Sequence, residues 1–173
     1  MNAGGHGRET TDVLVRATLV DLATGSSRAL APHGLALGYR SSAVGPLDVV
    51  TGASFRVDPA DPRACDDALA EVVAWRRAHQ PGGANAGSVF ANPPGDAAGR
   101  LIDSLGLKGL RVGGAEVSAK HANFFQAGPG ATADDVHRLV REVRRRVLDA
   151  TGVELVPELR MVGFAADGVE GTG

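Results

Sequence analysis

The segment from Thr132 to Ala150 constrains the fold most, because its residues follow the pattern of one long amphipathic helix. Thr132 is a favourable N-cap, and Asp134 and Asp135 lie where acidic side chains complement the positive end of the helix dipole. The apolar residues repeat at helical spacing and form one stripe: Val136, Leu139, Val140, Val143 and Val147. Gly152 predicts the end of the helix. A helix of this kind packs its stripe against another layer of structure, so the rest of the chain has to provide that layer.

Alternating and β-branched stretches predict strands that supply this layer. The predicted strands cover residues 12–22, 28–30, 47–57, 112–117, 122–126, 153–155 and 158–163. Two further helices are predicted, one that begins at Pro62 with Asp61 as its cap and ends before Pro81, and one over 96–105. Helices and antiparallel strands in this order predict an α+β fold. No Gly-x-Gly-x-x-Gly motif opens a helix after a strand, so the sequence does not support a Rossmann dinucleotide site.

The composition argues against several classes of function. The net charge is -2 and aromatic residues make up 4% of the chain, so no nucleic-acid partner is expected. The arginines at 144–146 fit a solvated helix face better than a nucleic-acid patch. Cys65 is the only cysteine, which excludes an internal disulfide, fits a reducing compartment and leaves no metal site predicted. No apolar run reaches the length of a membrane span and no signal peptide is recognisable, so we expect a cytoplasmic protein without a membrane partner.

The stretch from Asn85 to Pro93, between the two shorter predicted helices, concentrates polar chemistry. Gly87 beside Ser88 lets the backbone approach a ligand and leaves the hydroxyl accessible, whereas the alternative is a turn whose polar residues serve only the turn. Arg40 offers a planar guanidinium to a carboxylate or phosphate, or else forms a surface ion pair. Glu158 is either a partly buried functional carboxylate or an edge-strand charge. The side chains alone leave these alternatives open.

Longer motifs point to a known family. They are Met1-Asn2-Ala3-Gly4-x-His6-Gly7, Tyr39-Arg40-x-Ser42, Gly87-Ser88-Val89-Phe90-x-Asn92-Pro93-Pro94-Gly95, Ala98-Gly99-Arg100-Leu101-Ile102-Asp103, Gly106-Leu107-Lys108-Gly109, Gly113-Gly114-Ala115-Glu116-Val117-Ser118-x-Lys120-His121-Ala122-Asn123-Phe124, Ala131-Thr132-Ala133-x-Asp135-Val136 and Gly152-Val153-x-Leu155-x-Pro157-Glu158-Leu159-Arg160. In this order they resemble the UDP-N-acetylenolpyruvoylglucosamine reductases, the MurB-type flavoenzymes. The resemblance extends over nearly the whole chain.

The resemblance implies an activity and a set of catalytic residues. The family reduces UDP-N-acetylglucosamine enolpyruvate to UDP-N-acetylmuramate with NADPH via FAD, in peptidoglycan precursor synthesis. It implies that Ser88 donates a proton to C2 of the enolpyruvyl group, and that Arg40 and Glu158 complete the catalytic set. A guanidinium suits the negative charge that develops at C2 and the carboxylate when hydride arrives at C3.

The resemblance also implies binding residues. Asn92, Arg76 and Arg77 correspond to positions that hold the diphosphate end of the substrate. The chain opens inside the family's Asn-Ala-Gly-x-x-Gly flavin loop, of which these residues are present: Asn2, Ala3, Gly4, Gly5 and Gly7.

This resemblance predicts the domain organisation. Residues 1–58 are expected to be the remnant of a FAD-binding α+β subdomain whose N-terminal half is missing. Residues 59–164 are expected to form a small α+β substrate-binding domain with mostly antiparallel strands, and residues 165–173 a disordered tail. The segment between Arg40 and Ser88 is short and lacks the tyrosine-bearing insertion of one branch of the family, which places the chain with the other branch.

Three hypotheses follow for the chain as a whole. It is the substrate-binding portion of a reductase, or its start is mis-assigned and the missing flavin half is encoded upstream. The third is a non-catalytic module that binds a UDP-sugar and has lost the flavin site.

Overall fold

The computed structural model describes residues 2–164, so the predicted tail lies outside the described residues. The helices are α1 (Thr10–Val13), α2 (Pro62–His79), α3 (Ala98–Ser104) and α4 (Ala133–Thr151), with a 3₁₀ turn at Pro32–Leu35. The strands are β1 (Gly4–Gly5), β2 (Arg8–Glu9), β3 (Leu14–Asp21), β4 (Ser27–Leu30), β5 (Asp48–Phe55), β6 (Asn85–Ser88), β7 (Arg111–Val112), β8 (Ala115–Val117) and β9 (Phe124–Ala127). All paired strands run antiparallel, which confirms the predicted α+β class.

The chain divides between Val73 and Ala74, inside α2, into two compact units. We call residues 1–73 the first unit and residues 74–173 the second unit. The boundary at 58/59 inferred from the sequence remains a prediction.

The first unit contains two small sheets. Strands β1 and β2 form a hairpin, and β3 is the centre of a three-stranded sheet in the order β4-β3-β5. The strands predicted within 12–22, 28–30 and 47–57 correspond to β3, β4 and β5, and β3 forms a hairpin with β4. The fully buried apolar residues described in this unit are few: Ala17, Leu19 and Leu35.

The second unit has a four-stranded sheet in the order β6-β9-β8-β7, packed with α3 and α4. The stripe predicted for α4 supplies much of the core, with Leu139, Val140, Val143 and Val147 at most 1% exposed. Other core residues come from the strands, α3 and the loops: Val89, Phe90, Ala98, Leu101, Ile102, Leu107, Ala115, Val117, Ala122, Phe125 and Leu155. A sheet face and a helix stripe thus close over one apolar core.

The ends of α4 follow the sequence signals. The Thr132 side chain accepts the N–H of Asp135, and the Asp135 carboxylate accepts the N–H of Thr132, which forms a capping box. Gly152 ends the helix with a left-handed φ of 71°, a conformation that glycine adopts without steric cost.

Helix α2 begins and ends as predicted, since the Asp61 carboxylate accepts the N–H groups of Arg63 and Ala64 and the helix stops at His79. None of its residues is buried. The apolar residues that recur at helical spacing in α2, with Cys65 and Leu69 among them, therefore contribute no fully buried side chain.

Three details of the predicted strands are wrong. Residues 112–117 form two strands rather than one, because Gly113 has a φ of 55° and turns the chain back between β7 and β8. The segments 153–155 and 158–163 are irregular apart from a bridge between Pro157 and Phe90. Residues Asn85–Ser88, where no strand was predicted, form the edge strand β6. The local turn at Gly113 decides the first of these cases, and pairing with distant segments decides the other two.

Candidate active site

Ser88 lies at the end of β6, opposite Phe124 on β9. The pairing of β6 with β9 is irregular between Asn85 and Ser88, where Gly87 has a φ of 77°. Asn85 supports this irregular turn, since its side chain accepts the N–H of Gly87. Ser88 itself is exposed, so its hydroxyl is accessible to a ligand.

The backbone that follows Ser88 is deeply buried. Val89 and Phe90 are each 1% exposed. On one side, the N–H of Val89 donates to the carbonyl of Asn123 at 2.8 Å. On the other side, the carbonyl of Val89 accepts the N–H of Glu158 at 2.8 Å, and the N–H of Ala91 donates to the carbonyl of Val156 at 2.9 Å. The two predicted catalytic residues are therefore linked through Val89, which follows Ser88 in the chain and accepts the N–H of Glu158.

Ser88 and Asn92 line the same cavity, which has a volume of about 470 Å³. Its lining also includes basic and acidic side chains: Arg100, Asp103, Lys108 and His121. The two cations at positions 100 and 108 form ion pairs with Asp96 and Asp103 respectively. The Asn92 side chain accepts the N–H of Ala98 at 3.0 Å, which ties the cavity wall to the start of α3. The cavity offers a polar ligand a hydroxyl, an amide and balanced charges.

His121 presents a neutral ring to this cavity. Its Nδ1 accepts the N–H of Asn123 at 3.2 Å, so the neutral tautomer carries its proton on Nε2. Burial lowers the pKa of His121, and the positive charge of Lys108 acts in the same direction. The ring also packs edge-on against Phe124, with centroids 4.7 Å apart. At neutral pH His121 is therefore a hydrogen-bond donor through Nε2 rather than a cation.

Glu158 lines a different cavity, of about 590 Å³. Apolar residues dominate its lining, with Val136, Val140 and Met161 among them, and His137 stacks on Phe164 with centroids 4.2 Å apart. The Oε1 atom of Glu158 is buried from solvent. Ser88 and Glu158 are thus adjacent through the backbone, and each residue also lines a cavity of its own.

Arg76 and Arg77 lie in the last turns of α2 and are exposed. The Arg77 carbonyl accepts a hydrogen bond from the Lys120 side chain, which anchors this end of the helix to the loop before β9. Neither arginine is among the described residues that line the two cavities. Their assignment to a substrate diphosphate stays a prediction.

In the first unit, the glycine-rich segment 2–7 forms the hairpin of β1 and β2. His6 and Gly7 occupy its turn with φ values of 51° and 76°. A two-residue hairpin turn of type I′ requires positive φ at both positions. A Cβ atom at Gly5 or Gly7 would meet nothing within 4 Å, so the backbone at the tip is open to a ligand. Asn2 anchors the base of the hairpin, since its buried side chain donates to Glu9 at 2.6 Å and accepts the N–H of Thr11 at 3.0 Å.

Arg40 lies beside this hairpin. Its guanidinium is 3.5 Å from the carbonyl of Asn2 and stacks on the ring of Tyr39, 4.9 Å from the ring centroid. Its backbone has a φ of 52°, which is uncommon for a residue with a side chain and is found more often at functional positions. The first unit therefore brings Arg40 together with the residues predicted to contact the flavin. Ser88, Asn92 and Glu158 belong to the second unit.

Comparisons with known proteins match both units. Residues 79–162 match the family model of the UDP-N-acetylenolpyruvoylglucosamine reductase C-terminal domain. The reductase of that name from Rhodopseudomonas palustris strain HaA2 is 45% identical over 167 residues, which cover 96% of this chain and 54% of the relative. The chain is therefore similar to this reductase family over nearly its whole length, and residues 79–162 match its C-terminal domain.

Other relatives agree. The reductase from Rubrobacter xylanophilus is 44% identical over 165 residues, covering 94% of this chain and 55% of its own. The crystal structure of the reductase (MurB) from Thermus caldophilus matches with a TM-score of 0.77 and 38% identity, over 90% of this chain and 56% of that chain. This chain therefore spans about half the length of the relatives it matches. No helix among residues 2–164 is both long and apolar enough to cross a membrane.

Two residues around Ser88 had no role in the sequence interpretation. Asn123 and His121 belong to one of the family motifs, and both contact the Ser88 segment or its cavity. A polar residue between two apolar ones, as in Ala122-Asn123-Phe124, was the available signal. It did not indicate the partner, which lies 33 residues away along the chain.

Proposed function

We propose that the chain contributes the substrate-handling part of the reduction of UDP-N-acetylglucosamine enolpyruvate to UDP-N-acetylmuramate, a step in peptidoglycan precursor synthesis. The observation that carries the proposal is the segment 88–91, which is buried at Val89 and Phe90, lies within the matched family domain and joins Ser88 to Glu158. An accessible hydroxyl on a fixed backbone suits a proton donor, because proton transfer requires a defined position.

The residues divide the chemistry as follows. The Ser88 hydroxyl donates its proton to C2 of the enolpyruvyl group. Serine is a weak acid, so it donates only to a strongly basic carbon in a site from which water is excluded. The Arg40 guanidinium stabilises the negative charge on the substrate carboxylate and at C2, and the Glu158 carboxylate shapes the field around the reacting carbon. Asn92, Arg76 and Arg77 bind the diphosphate of the substrate.

The glycine hairpin fits a flavin dinucleotide. The residues that would contact FAD are Asn2, Ala3, Gly4, Gly5 and Gly7. The open backbone at Gly5 and Gly7 allows close approach, and the Arg40 guanidinium at the base of the hairpin adds a positive charge that suits an anionic cofactor. When bound, reduced FAD supplies hydride to C3 of the enolpyruvyl group, with NADPH as the source of the electrons.

The rest of the flavin site is proposed to come from a segment encoded upstream, since the relatives are about twice as long as this chain. The reaction uses soluble nucleotide substrates, and we propose that it takes place in the cytoplasm. Reading the genomic frame that precedes Met1 tests the first of these statements directly. A frame without a flavin-binding sequence would contradict it.

The function is tested on the purified chain by calorimetry with UDP-N-acetylglucosamine enolpyruvate, by flavin absorbance and by NADPH consumption. We expect measurable binding of the UDP-sugar, weak FAD binding and little turnover, because the chain spans only about half the length of its relatives. Stoichiometric FAD binding with full activity of the purified chain would contradict the proposal that part of the flavin site comes from an upstream segment. Binding by the chain without activity, even after the flavin-binding half is supplied, would support the non-catalytic UDP-sugar module instead. Absence of any UDP-sugar binding would contradict both.

The role of Ser88 gives a sharper test. In an active enzyme that contains this chain, Ser88→Ala removes the proton donor and leaves the flavin residues unchanged. We expect flavin reduction by NADPH to keep its rate and substrate reduction to fall by about 100-fold or more. Rapid-mixing absorbance measurements follow the two half-reactions separately. Equal slowing of both would show that Ser88 does not act as the proton donor.

A further inference from the structure

The side chain of Asn123 makes an unusual pair of contacts. Its Nδ2 donates to the carbonyl of Phe90 at 2.8 Å, and its Oδ1 accepts the N–H of Phe90 at 3.0 Å. Asn123 is 4% exposed and Phe90 is 1% exposed, so water does not compete for these hydrogen bonds. The carbonyl of Asn123 also accepts the N–H of Val89. One residue thus satisfies three backbone groups immediately after Ser88.

These contacts form a clamp that is specific to an amide side chain. A backbone N–H and a backbone C=O of the same residue require one acceptor and one donor, and a carboxamide provides both. An apolar side chain would leave both groups of Phe90 buried without partners. A carboxylate has two acceptors, so it would satisfy the N–H but face the carbonyl with a negative charge.

The clamp is coupled to both predicted catalytic residues. Ser88 directly precedes the clamped residues, and Glu158 donates its N–H to Val89 within the same segment. The clamp also reaches the cavity of Ser88, since the N–H of Asn123 donates to His121, which lines that cavity. Gly87 on the other side of Ser88 lies in an irregular part of β6. The position of Ser88 therefore depends mainly on the hydrogen bonds that Asn123 makes with Val89 and Phe90.

We propose that Asn123 is a positioning residue that fixes the Ser88 hydroxyl by clamping Phe90. The inference rests on the proposed function only for what Ser88 does. The clamp itself is a statement about the position of Ser88 and is measurable without turnover.

Three variants of the full chain test the clamp. Asn123→Ala removes both side-chain hydrogen bonds. Asn123→Asp keeps the shape and makes the outcome depend on pH, because a protonated carboxyl group again has one donor and one acceptor. Ser118→Ala is the matched control. Ser118 is 1% exposed and lies in the same loop, and its hydroxyl accepts the N–H of Lys120 rather than a group of the 88–91 segment.

The primary readouts are amide hydrogen exchange at Phe90 and the NMR chemical shifts of Ser88. For Asn123→Ala we expect exchange at Phe90 to accelerate by roughly tenfold or more beyond any global change, with altered Ser88 shifts. Ser118→Ala should leave the Ser88 chemical shifts unchanged, and it should change exchange at Phe90 only as far as it changes global stability. For Asn123→Asp we expect altered shifts at pH 7 that return toward those of the wild type near pH 4, because burial raises the pKa of the introduced carboxyl group and its neutral form restores the clamp.

In an active enzyme that contains the chain, the same variants separate positioning from folding. Asn123→Ala should lower the rate of substrate reduction by about 10- to 100-fold, with a smaller change in KM and an unchanged rate of flavin reduction. The proposal is overturned if Asn123→Ala and Ser118→Ala shift Ser88 equally, or if Asn123→Asp shows no recovery at low pH. A chain that shows these effects but binds no UDP-sugar would overturn the proposed function and leave the clamp standing. If the chain binds the UDP-sugar but the Ser88 chemical shifts do not respond to Asn123→Ala, the clamp is overturned and the proposed function stands.

Discussion

The two units of this chain hold their candidate site residues in different ways. In the second unit, Ser88 precedes a segment buried in a core of fifteen residues that includes the stripe of α4. In the first unit, the fully buried core described consists of three residues, and large apolar side chains are exposed: Val15, Leu22, Leu47, Val49, Val50, Phe55 and Val57. Arg40 and the glycine hairpin depend instead on the turn geometry and on hydrogen bonds with Asn2, which donates to Glu9 and accepts from Thr11 and Arg40.

The difference in core size between the two units predicts how firmly each unit holds its backbone. A unit with a large core fixes buried backbone by close packing, so small changes in shape are costly. A unit with a small core and exposed apolar strands depends more on hydrogen bonds and is expected to open more readily. In the proposed function, most of the residues that bind the substrate lie in the second unit, which has the large core. The residues that bind the cofactor lie in the first unit, which has the small core.

The largest expected effect comes from matched cavities in the two cores. Leu139 and Leu19 are both 0% exposed. Leu139→Ala should lower the free energy of unfolding of the second unit by about 4 kcal/mol, and Leu19→Ala that of the first unit by about 2 kcal/mol, because a small core relaxes more easily around a cavity. Hydrogen exchange followed by NMR measures each unit separately. Equal losses would show that the two cores are packed equally well.

A glycine substitution tests the packing between the turn that joins β7 to β8 and the residue that precedes the N-cap of α4. At Gly114 a Cβ atom would lie 2.6 Å from the Cα of Ala131, and its φ is not in the left-handed region. Gly114→Ala should destabilise the second unit by about 3 kcal/mol, since backbone would have to move. Gly130→Ala is the control, with open space around its Cβ and a left-handed φ of 77°, and should cost about 1 kcal/mol. Thermal denaturation of both variants distinguishes a clash from backbone strain.

The smallest expected effect is a pH dependence at Asp135. Hydrogen bonds from the N–H groups of Thr132 and Gly114 lower the pKa of Asp135 to about 2. A carboxyl group with a lowered folded-state pKa stabilises the fold above its unfolded pKa, and this stabilisation is lost as pH falls from about 4 toward 2. Asp135→Asn should therefore flatten the acid unfolding curve of the second unit in that range.

The first unit provides the comparison for this test. There the N–H of Gly45 and the guanidinium of Arg28 lower the pKa of Asp48. Asp48→Asn should change the acid response of the first unit and leave that of the second unit unaffected. If Asp135→Asn altered the acid response of both units alike, their acid unfolding would be one event.

Local patterns determined a large part of this structure. The stripe of α4 from Val136 to Val147, its Thr132 cap and its Gly152 stop could all be read from the sequence, because each depends on residues within a few positions of one another. The same holds for the β3–β4 hairpin and the start of α2 at Pro62. The motifs around Ser88, Arg40 and Glu158 indicated the family, which the comparisons confirm.

The tertiary structure decided what local patterns do not contain. Residues 158–163 have the composition of a strand, but the backbone around Pro157 finds its partners in the segment 89–91 and forms only a bridge. The clamp of Asn123 on Phe90 joins positions 33 residues apart, and no spacing rule predicts such a pair. Backbone groups buried by folding must be paired, and which distant residue pairs with them depends on how the whole unit packs.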